Sequence, residues 1–172
     1  YLCDFDDRGV DGVILTSSMF ESPEDTGKCL QAIAELRIPA MLTDRVPPEN
    51  RRDAVLPNDF LGGYLAAKHL LELGHRRIGL VTGQMYLPNC RERLRGCRTA
   101  LTEFGVPFDA TLVREGDFQF RSGYEALPYL LGKEVTAVFC FNDSIAYGVY
   151  RQMRNYNLRI PEDLSLVGFD DL

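Results

Sequence analysis

The stretch that most constrains the fold is the last one, VTAVFCFNDSIAYGVYRQMRNYNLRIPEDLSLVGFDDL, from Val135 to Leu172. It reads as a buried strand (Ala137 to Phe141), a helix starting at Ser144, a turn closed by Pro161 and a second buried strand (Leu164 to Phe169). Two short apolar runs with a helical segment between them describe a βαβ unit, and hence two parallel strands. Each strand stops on polar residues: Asn142 and Asp143 after the first, Asp170 and Asp171 after the second. Parallel strands end on one common edge, and open α/β sheets bind ligands in the crevice outside that edge. Asn142 and Asp170 are therefore expected side by side at the mouth of a site.

The same rhythm runs through the rest of the chain. Strands are expected at Val10 to Thr16, Ala40 to Thr43, Ala54 to Leu56, Ile78 to Thr82 and Thr111 to Glu115. Helices are expected at Asp25 to Arg37, Asp59 to Leu73, Asn89 to Phe104 and Ser122 to Leu131, with Gly74 and Gly105 closing two of them. Strictly alternating strands and helices give an α/β fold with parallel sheets. There is no solenoid-type period and no low-complexity segment. The ends read as those of a piece of a longer chain: Tyr1 to Gly9 looks like a helix tail with no strand ahead of it, and Leu172 follows directly on a strand end. A doubly wound sheet needs layers on both faces.

Charge and cysteine content narrow the function. A net charge of −6 is the wrong sign for a surface that neutralises phosphates, so these residues are not expected to grip nucleic acid themselves. No apolar run is long enough to span a membrane, and Tyr1 does not open a signal-peptide pattern. Five scattered cysteines (Cys3, Cys29, Cys90, Cys97, Cys140) without a CxxC pair fit reduced thiols and a cytoplasmic protein. Two histidines without ligand spacing call for no metal site. There is no G-x-S-x-G elbow, H-E-x-x-H, Walker loop or G-x-G-x-x-G, and no cofactor is implied. Gly62 and Gly63, inside a helical pattern, read as a point of close packing.

The candidate site residues come from helix phase and strand ends. In the helix Asn89 to Phe104 the apolar stripe is Cys90, Leu94, Cys97, Leu101 and Phe104. At ~100° per residue Arg93 lies about 60° from the centre of that stripe, and Arg95 about 140° away. Arg93 thus borders the buried face near the crevice edge, whereas Arg91 and Arg95 read as solvated. Phase alone leaves Arg93 open to a second reading, a surface arginine that snorkels. Asn142 and Asp143 sit where a helix N-cap is needed; the expectation is that Asp143 or Ser144 caps and Asn142 faces the crevice. Asp170 and Asp171 serve either the site or the cap of a following helix, and Asp44 ends another strand. An Arg, Asn, Asp and aromatic constellation suits a polyhydroxylated small molecule, and binding rather than turnover. Arg93→Ala and Asp170→Ala are expected to abolish binding with the fold intact.

Seven segments, VDGVIL, PAMLTDR, NDFLGGYLAAKHLLELGHRRIGLVTG, RERLRGCRTAL, EGDF followed by SGYEAL, TAVFCFNDSIAYGV and LRIPEDLSLVGFDD, together resemble the effector-binding core of LacI/GalR-type bacterial transcription regulators. The resemblance implies a two-lobe, periplasmic-binding-protein-like fold. Residues 1–56 would be a partial N-terminal lobe and 57–172 the C-terminal lobe, with a cleft between them. It implies effector contacts from Arg93, Asn142 and Asp170, stacking by Phe118, and a reach-in by Asp44 from the first lobe. It also implies a homodimer, a sugar-like effector, and operator DNA bound through a domain absent from this chain. Pro57 departs from the family at the crossover, where an apolar or aromatic contact can occur. A sugar-binding protein of a transport system is the alternative on the same fold.

Overall fold

The computed structural model describes residues 9–16, 23–44, 46 and 52–172. The expected helix tail at the amino terminus lies outside these residues, apart from Gly9. The chain divides into two compact units, Tyr1–Pro57 and Asn58–Leu172.

In the first unit β1 (Val13–Leu15), β2 (Ala40–Thr43) and β3 (Ala54–Val55) form a parallel sheet in that order, with helix α1 (Pro23–Glu35) between β1 and β2. Leu15, Ile33 and Leu42 make its small core. The open carbonyls at the end of α1 are met by Arg52, whose Nη2 donates to Ile33 O at 2.9 Å and Leu36 O at 3.2 Å. A cation there also complements the helix dipole.

The second unit has a four-stranded parallel sheet in the order β5-β4-β6-β7: β4 Ile78–Thr82, β5 Val113–Glu115, β6 Ala137–Cys140 and β7 Ser165–Val167. Its helices are α2 (Asp59–Glu72), α3 (Pro88–Glu103), α4 (Phe120–Leu131) and α5 (Asp143–Asn155). The two central strands are buried along their whole length, which is why IGLVT and AVFC are apolar at nearly every position. Alternate side chains sort to opposite faces. Ile78, Leu80, Ala137, Phe139 and Phe141 pack with α2 and α3, whereas Val81, Val138 and Cys140 pack with α4 and α5. The result is three layers, helix pair on sheet on helix pair.

The two helix pairs are built alike. A Cβ on Gly63 would collide with the carbonyl of Arg93, and one on Gly96 with that of Phe60. In the other pair Gly123 meets the carbonyl of Ile145, and Gly148 that of Phe120. Each glycine thus seats the carbonyl three residues before its partner glycine. The close packing expected at Gly62 and Gly63 is present. The first helices also match in sequence, Phe60-x-x-Gly63-Tyr64 and Phe120-x-x-Gly123-Tyr124, with ring pairs at 6.5 and 6.1 Å. α2-β4-α3-β5 and α4-β6-α5-β7 are therefore two copies of one plan, and the strand order reads the same from either copy.

The strands expected at Val10 to Thr16, Thr111 to Glu115 and Leu164 to Phe169 are shorter, at Val13–Leu15, Val113–Glu115 and Ser165–Val167. Residues 110–112 form a 3-10 turn, because Asp109 accepts from the Thr111 N–H at 2.8 Å and from its hydroxyl at 2.7 Å. Those bonds hold the Asp109 carboxyl below the usual aspartate range. No helix of the described residues is long and apolar enough to cross a membrane.

Candidate functional site at the carboxyl edge of the second sheet

Strands β4 and β6 lie side by side, yet the chain leaves them for opposite faces, to α3 and to α5. This is the switch point where α/β sheets open a crevice. Arg93 reaches it from α3. Its Nε donates to Asp59 Oδ1 at 2.7 Å, its Nη1 donates to the carbonyl of Phe141, and its guanidinium lies 3.6 Å from the centre of the Phe169 ring. Arg93 is 4% exposed, so the snorkelling alternative is overturned. The reason is local: Gly63 lets the α3 backbone approach α2, which draws the side chain inward rather than out to water. Arg95 lies in solvent, ion-paired to Glu92 at 2.5 Å and laid over Phe60.

The copy relation sharpens this. Three residues before Gly148, where α3 has Arg93 before Gly96, α5 has Ile145, fully buried in the core. A guanidinium stands where the other copy keeps an aliphatic side chain. Departures of this kind from local packing rules belong to functional sites.

Asn142 is half-buried at the end of β6, and the structure corrects its expected role. Asn142 is the N-cap of α5, its Oδ1 accepting from Ile145 N at 2.9 Å, while Nδ2 donates to Phe118 O at 3.0 Å. Its extended backbone (φ −157°, ψ 172°) sets the side chain over the first helical turn. Asp143 is already inside the helix. Its carboxylate accepts from the N–H groups of Phe169 and Leu172 at 2.9 and 2.7 Å, tying the chain after β7 to the start of α5.

Phe118 stands between β5 and α4, with its ring against Gly83 at the end of β4, where any Cβ would strike it. Asp170 follows β7 and is exposed. The register pairs Phe139 with Val167, so β6 and β7 run out on one edge of the sheet. Arg93, Asn142 and Phe118 are thus joined through shared contacts, and Asp170 lies on the same edge. Asp44 belongs to the first unit, at the end of β2, where its N–H donates to Val55 O at 3.1 Å. Asp44, Phe118, Asp170 and Asp171 all have positive φ, at 73°, 66°, 110° and 66°. Glu134 and Asn157, in turns after helices, share this conformation, so it does not by itself mark the site.

Three participants escape a sequence reading. Asp59 pairs with Arg93, but an acidic residue in a helix's first turn already has an explanation in the helix dipole. Phe169 supplies the ring beneath the guanidinium, though its place in a strand suggested core. Asn89, one turn before Arg93 on the same face, is 6% exposed, and its Oδ1 is buried without a hydrogen-bond partner. The Asp59 pair bears on the expectation for Arg93→Ala, because that change also removes a buried ion pair.

The four described cysteines are free thiols. Burial pushes Cys97 up to about 12 and Cys140 higher still. Among the described residues no cluster of three metal-ligating side chains occurs.

A family model for the periplasmic binding protein-like domain matches residues 67–172. The HTH-type transcriptional repressor PurR of Aliivibrio salmonicida is 34% identical over 178 residues, covering 100% of this chain and 51% of that protein. The ribose operon repressor of Haemophilus influenzae is 40% identical over 146 residues, covering 83% of this chain and 44% of that protein. Among solved structures, a LacI family transcriptional regulator from Enterococcus faecium with bound ribose superposes with a TM-score of 0.80 at 36% identity, covering 99% of this chain and 62% of that one. The chain spans about half the length of the curated relatives it matches. The relatives it matches are transcriptional regulators of the LacI type, and the chain itself belongs to the periplasmic binding protein-like family.

Proposed function

We propose that this chain is the effector-sensing core of a DNA-binding transcriptional regulator, and that it binds a small molecule, a sugar or a close relative of one, at the carboxyl edge of the second sheet. The observation that carries the reading is Arg93, a buried guanidinium stacked on Phe169 at the switch point. A guanidinium offers five N–H donors in a rigid fork, and Asp59 and Phe141 take two. Asn142, Asp170 and Phe118 complete the polar and stacking set. The Oδ1 of Asn89 is a buried acceptor that a ligand hydroxyl or amine would satisfy. The part given to Asp44 rests on the family resemblance alone. The site binds and does not transform.

Operator DNA would be held by a segment outside residues 1–172, and a homodimer would carry the signal to it. Effector binding shifts a two-state equilibrium only by its difference in affinity for the two states. A ligand that binds the folded state raises its melting temperature. A thermal-shift screen of the full-length protein against sugars, sugar phosphates, nucleosides and purines tests the reading. At least one class is expected to raise the melting temperature, and Asp170→Ala is expected to remove the response. A response that survives Asp170→Ala unchanged would remove that residue from the site.

A further inference from the structure

We infer that the effector is uncharged, a free hydroxyl-bearing compound and not its phosphate ester, and that Asp59 sets this preference by acting through Arg93. The inference rests on the binding reading above and narrows the ligand class.

An arginine in a pocket ordinarily invites a phosphate, because its fork matches two phosphate oxygens. Here the fork's Nε is held by Asp59 at 2.7 Å, and both side chains are almost fully buried, at 5% and 10% exposure. The positive charge is met by a carboxylate in a medium that screens poorly, so an incoming dianion would face Asp59 as well as Arg93.

The helix N-termini at this edge offer a phosphate less than usual. Helix N-termini bind anions through their free N–H groups. At α5 the cap position is filled by Asn142, and the first turn carries the Asp143 carboxylate. At α3 the first residue is Pro88, which has no N–H, and the Arg91 N–H donates to Leu87 O at 3.3 Å.

The edge itself is acidic. Glu115 ends β5, and Asp117, Asp143, Asp170 and Asp171 follow strand ends. The nearby cations are engaged: Arg91 donates to Tyr86 O at 2.6 Å, and Arg121 pairs with Glu125 at 2.6 Å. Carboxylates accept from hydroxyl groups and repel phosphates. This is selection by an unfavourable term built against the wrong ligand.

The test is calorimetric titration of the full-length protein with matched pairs: ribose, glucose and adenosine, each against its own phosphate ester. The parent compound is expected to bind more tightly than its ester by roughly tenfold or more in whichever pair responds, a difference of about 1.4 kcal/mol. Asp59→Asn keeps an acceptor for Arg93 Nε and removes the charge. It is expected to close that gap by roughly tenfold, while Asp163→Asn, at an exposed ion pair away from the crevice, leaves the gap unchanged. If Asp59→Asn does not fold, the wild-type ratio decides alone. An ester that binds as tightly as its parent overturns the inference and leaves the binding site standing. Silence from all six compounds overturns both.

Discussion

Arg93 and Asp59 form a buried ion pair. Truncating one partner of a buried ion pair strands the other, at about 3–5 kcal/mol, whereas replacing both with well-packed apolar groups is often neutral. Arg93→Met is therefore expected to lower the urea midpoint sharply, and Arg93→Met with Asp59→Leu to recover much of it. Additive losses in that cycle would mean the two side chains do not interact. A second residue-scale expectation concerns Asp117. Its carboxyl lies below the ordinary range, first because Ser122 donates to it. A group with a depressed folded pKa stabilises the fold above its unfolded value, and loses that contribution as pH falls through the folded one. Ser122→Ala should therefore be less stable than wild type at neutral pH, and the difference should shrink in acid, below about pH 4. A gap that widens in acid would reverse the sign. Cys97 gives a third. With its thiol pushed up to about 12 by burial, it should resist alkylation in the native protein and react once urea exposes it. Mass spectrometry of the labelled peptide reads this directly.

The helices and strands were legible because their signals are local. Gly74 and Gly105 end helices at φ 93° and 67°, as glycines after an apolar run should, and IGLVT announces a strand buried on both faces. The phase of Arg93 was legible too, to within its two readings. Its partner was not, since Asp59 is 34 residues away and has a local explanation of its own. Asn142 misled for a related reason: one amide can cap a helix and border a crevice, and only the backbone angles decide which oxygen goes where. Of the four reciprocal glycines only Gly63 was legible as a close contact, because the meaning of the others lies in the partner helix's backbone. They make a stability expectation. Gly96→Ala and Gly148→Ala push a Cβ into a neighbouring main chain that cannot step aside, and each is expected to cost about 1–3 kcal/mol or more. Gly132, at φ −64° with an added Cβ 3.3 Å from the Tyr129 carbonyl of its own helix, is the matched control. Gly132→Ala is expected to stay within about 0.5 kcal/mol. Thermal melts of the three variants compare the sites.

At the scale of the whole molecule, the second unit carries two core clusters, one on each face of its sheet, and among the described residues both are built from side chains after Asn58. Residues 58–172 are accordingly expected to unfold in one cooperative transition when expressed alone. A broad, non-cooperative melt would show that this unit depends on the rest of the chain. Within that unit the two copies of the α-β-α-β plan share their scaffolding contacts and differ in what they bring to the crevice. One copy buries isoleucine where the other holds out a guanidinium. A lineage built this way can vary the side chains that either copy extends to the shared edge while the reciprocal glycines hold the framework fixed.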